Sequence, residues 1–114
     1  MPLSRLAQQF ADEIRQHDWS DAPYRADRAG HDRADDRHPT EQLDDAHTHR
    51  LTMNVMWVTA QVLGYNDPNF DVYEYAEACG VNTLARSGRR DGGILAGLRL
   101  GSNGCMQPGT RIDR

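Results

Sequence analysis

From Leu51 to Gly80 the hydrophobic pattern predicts two helices joined by a short turn. The first run, LTMNVMWVTAQVLG, is dense in apolar side chains and stops at Gly64. Asp67-Pro68, or Asn69, offers a new start, and the second run stops at Gly80. Extended backwards, the first helix begins at a Thr40 cap after Pro39, so the pair covers about 41–63 and 68–79. Its first half is amphipathic through Leu43, Ala46, His47 and Leu51. Its second half, with Met53, Val55, Met56, Trp57, Val58, Ala60, Val62 and Leu63, is apolar on all sides. A helix of that kind must be enclosed by neighbours or by a partner. In the second helix Phe70, Tyr73 and Ala76 mark one face, and Val72, Tyr75 and Cys79 the adjoining one.

The flanking segments are more polar. Leu3, Leu6, Phe10 and Ile14 recur at helical spacing and predict an amphipathic helix within residues 1–19, with Ser4 as its cap and Trp19 folding back onto its stripe. Residues 20–39 interleave Arg and Asp around Tyr24 and form a polar connector. It is either a solvated linker or a segment that orders against a partner. The tail, 81–114, is crowded with glycine. Ile94 to Leu100 suggests one short element there, and the rest reads as loop. The fold class is therefore all-α: a single small domain with an antiparallel helix pair, an N-terminal helix and a Gly/Arg-rich tail.

Composition sharpens this picture. The chain has 114 residues, of which 38% are hydrophobic, and all 13 of its basic residues are arginine. Few apolar residues in a small chain leave a marginal core, so part of the surface is expected to need a partner. Residues 1–80 hold 7 Arg against 15 Asp and Glu (−8), and residues 81–114 hold 6 Arg against 2 Asp (+4), which sum to the net −4. An acidic body with a basic tail suits tail contact with nucleic acid, with an acidic protein, or with the body itself. No window is apolar enough for a signal peptide or a membrane span, so a cytoplasmic protein with free Cys79 and Cys105 is expected.

Candidate chemistry is sparse. His47 and His49, with Asp44 and Asp45, form the best metal-like cluster. Residues two apart on a helix point to opposite sides, however, so no metal or other cofactor is expected. His49 should be exposed and His47 should edge the core. Cys79, at a helix C-terminus, reads as a core residue rather than a nucleophile. Ser87 to Gly93 could form an anion-binding turn or simply a flexible one. Asp71 to Gly80 followed by Val81-Asn82-Thr83 echoes a helix-turn-helix, but Arg86, Gly88 and Arg89 fit its second helix poorly.

Asn69-Phe70-Asp71, Tyr75 and Ala78-Cys79-Gly80-Val81, behind an apolar helix, resemble a segment of small accessory proteins of actinobacterial phages. The likeness spans Met53 to Val81 and implies an origin rather than an activity. No catalytic residue follows from it. The leading expectation is a non-enzymatic protein-interaction module acting on a host or phage protein, with homo-oligomerisation compatible. Its contact residues would be Trp19, Tyr24, Trp57 and Tyr73, with Arg25, Arg28, Arg89 and Arg90. The alternative is a helix-turn-helix-like nucleic-acid-binding regulator using Arg86, Arg89, Arg90 and Arg99.

Overall fold

The computed structural model describes residues 2–38 and 41–111. Four helices follow in order: α1 (Arg5–Gln16), α2 (Asp45–Asn66), α3 (Val72–Ala78) and α4 (Gly92–Ala96). A small antiparallel hairpin of β1 (Leu100–Gly101) and β2 (Gly104–Cys105) comes last. The chain is thus mostly helical, and the hairpin corrects the all-α expectation. One apolar cluster joins Ala7, Ala11 and Ile14 of α1, Met56, Ala60 and Leu63 of α2, Val72, Tyr75 and Ala76 of α3, and Cys79, Val81, Ile94 and Leu98 beyond them.

α1 begins where expected. The Ser4 hydroxyl accepts from the Ala7 N–H at 3.1 Å. Its seat differs from the expected stripe. Ala7, Ala11 and Ile14 are buried, whereas Leu6 and Phe10 stay exposed. The two alanines let α1 approach its neighbours closely, which turns the bulkier pair out to the edge of the contact. Trp19 does fold back, donating its indole N–H to the Ile14 carbonyl at 2.9 Å.

α2 starts later than Thr40, which lies outside the described residues. The Asp44 carboxylate accepts from the His47 N–H at 2.7 Å and caps the helix. Leu43 precedes the helix, and its N–H donates to the Ser20 carbonyl at 2.7 Å. Gly64 does not end α2, which runs on to Asn66. A Cβ at Gly64 would lie 2.6 Å from Cys105 Sγ, so this glycine admits β2 instead of breaking the helix. The start of α3 is also later than expected. Asp67 closes a turn with Asn69 and Phe70, and Asp71 caps α3 by accepting from the Tyr73 N–H at 2.9 Å. Gly80, at φ +88°, ends the helix in the left-handed region, and the Val81 N–H reaches back to the Ala76 carbonyl at 2.9 Å.

No second helix follows that turn directly. Leu84 and Arg90 pair as an antiparallel bridge around a tight loop, which corrects the helix-turn-helix echo. The tail then docks on α2 through one polar residue, Gln61. Its side-chain amide donates to the Arg99 and Met106 carbonyls at 3.0 and 2.9 Å and accepts from the Arg99 N–H at 2.9 Å. The primary amide of Gln61 therefore acts like a strand neighbour for the hairpin. Above it, the Trp57 indole lies on Gly97 and donates to the Ile94 carbonyl at 2.9 Å.

Two outcomes follow for chemical denaturation. Gly97→Ala places a methyl inside the Trp57 ring and should cost about 2 kcal/mol or more, with altered tryptophan fluorescence. Gln61→Leu leaves the Arg99 N–H and the Met106 carbonyl unpaired, the Arg99 carbonyl keeping the Met106 N–H, and should cost about 3 kcal/mol, with faster exchange of the Arg99 amide hydrogen. Unchanged midpoints for both would refute this docking of the tail.

Candidate docking face

α2 carries two apolar stripes. The inner one, Met56, Ala60 and Leu63, is buried in the core. The outer one consists of Val58, Val62 and Tyr65, with exposed Asn54 one turn before Val58; Leu51 and Val55 continue its four-and-three spacing but are half-buried, Val55 against the core. Val58 is 71% exposed, and Val62 and Tyr65 are 46% and 48% exposed. Residues 51–66 contain no Asp, Glu, Lys, Arg or His. An exposed helical face without a charge is unusual in a chain of which 26% is charged.

Leu6 and Phe10 of α1, 56% and 42% exposed, stand beside this stripe. Together with Val58, Thr59, Val62, Leu63 and Asn66 they line a groove of about 320 Å³. Its two polar residues are already engaged. The Thr59 hydroxyl lies 3.1 and 3.0 Å from the Val55 and Met56 carbonyls and 2.8 Å from the Tyr75 hydroxyl, and the Asn66 amide donates to the Val62 carbonyl at 2.9 Å. The groove offers mainly apolar area, and the Thr59 hydroxyl and Asn66 amide N–H that border it are bonded within the chain. A contiguous exposed apolar patch of this kind marks an interaction surface.

The residues singled out from the sequence sit elsewhere. Trp19 and Trp57 are half-buried, with their N–H groups bonded within the chain. Tyr73 donates to the Asp91 carbonyl at 3.1 Å and carries the Arg90 guanidinium 4.3 Å from its ring centroid. Tyr24, Arg28, Arg86 and Arg89 are exposed. Arg99 is half-buried, and its Nε has no hydrogen-bond partner. Trp57 and Tyr73 are thus each bonded to the α4 segment, at Ile94 and Asp91, and Arg90 covers the Tyr73 ring. Sequence reasoning missed Leu6, Phe10, Val58 and Val62 as a joint surface. The available signal was the seam spacing together with the absence of charge from 51 to 66.

The connector is ordered by its own polar groups. Asp18 accepts from the Ser20 N–H at 3.0 Å and from the Arg33 N–H at 3.1 Å. Arg25 pairs with Asp27 at 2.7 Å and also with Asp36. Asp21 is buried, with its carboxylate 3.1 Å from His31 Nε2 and 3.7 Å from the Arg33 guanidinium. Asp21, Asp27 and His31 lie close enough to share a cation, but Arg25 and Arg33 already supply positive charge to these carboxylates. The other histidines reverse the expectation. His47 is exposed beside Asp44, while His49 is half-buried and accepts from the Asn82 N–H at 3.2 Å. Neither thiol is activated: burial pushes Cys79 up to about 11 and raises Cys105.

No protein family, curated protein or solved structure matches the chain. Among the described residues no helix is long and apolar enough to cross a membrane.

His31 gives the connector a pH dependence. Its imidazole is raised above the ordinary 6.5 by the hydrogen bond to Asp21, against burial, and further by the charges of Asp21 and Asp27. The fold therefore favours protonated His31. The stabilisation is full below the unfolded value, about 6.5, and is lost as pH rises through the folded value. Melting temperature should fall over that window in the wild type, and His31→Gln should flatten the fall. A slope indifferent to the substitution would refute the assignment.

Proposed function

We propose that the chain is a non-enzymatic protein-interaction module whose docking face is the outer side of α2 with the adjoining edge of α1. The observation that carries this reading is the charge-free exposed seam of Val58, Val62 and Tyr65. Burial of such a face against another protein removes apolar area from water without desolvating a charge. The likeness to phage accessory proteins supports a bacterial cytoplasm as the setting, with a phage protein, a host protein or the chain itself as the counterpart. A nucleic-acid reading rests on Arg86 and Arg89, which are exposed on the loop closed by Leu84 and Arg90. It is the weaker reading, because Arg90 is engaged with Tyr73 and the body of the chain is acidic.

A photo-crosslinking amino acid at position 58, in actinobacterial cells producing the protein, tests the reading. The expected result is a discrete protein adduct from position 58 and none from position 86. Adducts from 86 to nucleic acid, with none from 58, would overturn it in favour of the arginine loop.

A further inference from the structure

Apart from the docking face, a second cleft opens where the α2–α3 turn, the start of α3, α4 and the hairpin converge. It encloses about 430 Å³, within the ordinary range for small-ligand pockets of roughly 300–1,000 Å³. It shares no lining residue with the groove beside Val58. Buried Val72 and Leu98 and half-buried Phe70 give it an apolar wall, and exposed Leu95 and Leu100 extend that wall towards solvent.

Three charged residues line the same cleft: Asp67, Asp71 and Arg90. Among the described residues none of them takes part in an ion pair, with one another or with a third group. They are nonetheless held in place. One oxygen of Asp67 accepts from the Asn69 N–H and one oxygen of Asp71 from the Tyr73 N–H, both at 2.9 Å, so each carboxylate has a second oxygen for another donor. The backbone of Arg90 is fixed by its bridge to Leu84. Its guanidinium lies 4.3 Å from the centroid of the Tyr73 ring, and the Tyr73 hydroxyl is tied to the Asp91 carbonyl. A guanidinium stacked by its face keeps its N–H edge for a carboxylate.

Opposite charges that share a cleft without neutralising one another are complementary to a ligand that carries both signs. We propose that this cleft binds a zwitterionic α-amino acid with a large apolar side chain, its carboxylate on Arg90, its ammonium on Asp67 and Asp71, and its side chain against Phe70, Val72 and Leu98. Other classes fit worse. A polyanion meets two carboxylates, and a simple cation meets the guanidinium. An uncharged apolar molecule takes three charges out of water and gives none of them a partner. An ammonium has three N–H donors, enough to serve both aspartates at once. The charged groups are already positioned by bonds within the chain, so little ordering opposes binding.

Titration of the full isotope-labelled chain with L-phenylalanine and with L-leucine, followed through amide chemical shifts to millimolar ligand, tests the site. At least one of the two should give saturable shifts at Asp71, Tyr73 and Arg90, with none at Val58. Three kinds of probe should bind about tenfold more weakly or worse. They are glycine, which lacks the apolar body; the matching acids phenylpropionate and isocaproate; and the matching amines phenethylamine and isoamylamine. Arg90→Gln should abolish the preference for the amino acid over the amine. Asp67→Asn combined with Asp71→Asn should abolish the preference over the acid at unchanged melting temperature, because asparagine keeps both capping hydrogen bonds. Absence of shifts with both amino acids overturns the proposal. So does binding that is equally tight without one of the ligand's charges, or that neither variant changes.

Discussion

The structure is organised by one constraint, the absence of charge from α2 over residues 51–66. A helix with apolar side chains all round cannot leave any face to water without cost, so each side needs its own cover. α1 and α3 cover the side of Met56, Ala60 and Leu63, and α4 with the hairpin covers the side of Trp57 and Gln61. The third side, around Val58 and Val62, faces solvent in the isolated chain. The proposed docking face is the remainder of an incompletely solved burial problem.

The segments around α2 have little apolar mass of their own and are held by other means. The tail relies on close approach at Gly64 and Gly97 and on the three hydrogen bonds of Gln61. The connector relies on carboxylates that bond backbone N–H groups and face Arg25, His31 and Arg33. Fixing a segment through satisfied polar groups leaves it sensitive to single substitutions, because each removed partner strands another buried group. Tyr75 shows the same economy in the core. It stacks near Phe70 at 5.3 Å between centroids while its hydroxyl meets Thr59.

Local signals were legible in the sequence where a single residue decides the backbone. The Ser4 cap, the return of Trp19, the stop at Gly80 and the burial of Cys79 all follow from side-chain chemistry within a few positions. Long-range choices were not. Ala7 and Ala11 displaced Leu6 and Phe10 from the core because close packing outweighed side-chain size. Gly64 looks like a stop until Cys105 is placed beside it. Trp57 and Tyr73 look like anchors, but their polar tips bond Ile94 and Asp91, which lie 37 and 18 residues away. The outer seam was hidden for a different reason: when every face of a helix is apolar, periodicity alone cannot tell which face the fold leaves open.

Carbene footprinting of the wild-type chain as a function of concentration tests the central claim most directly, since it reads the accessibility of individual apolar side chains. If the charge-free side of α2 is an interface, labelling of the peptide carrying Val58, Val62 and Tyr65 should fall as the chain is concentrated or as cell extract is added. Labelling at Leu84 and Leu100, also exposed, should stay constant. Equal labelling of all these residues at every concentration, and in the presence of cell extract, would contradict the account and leave Val58 an ordinary surface residue.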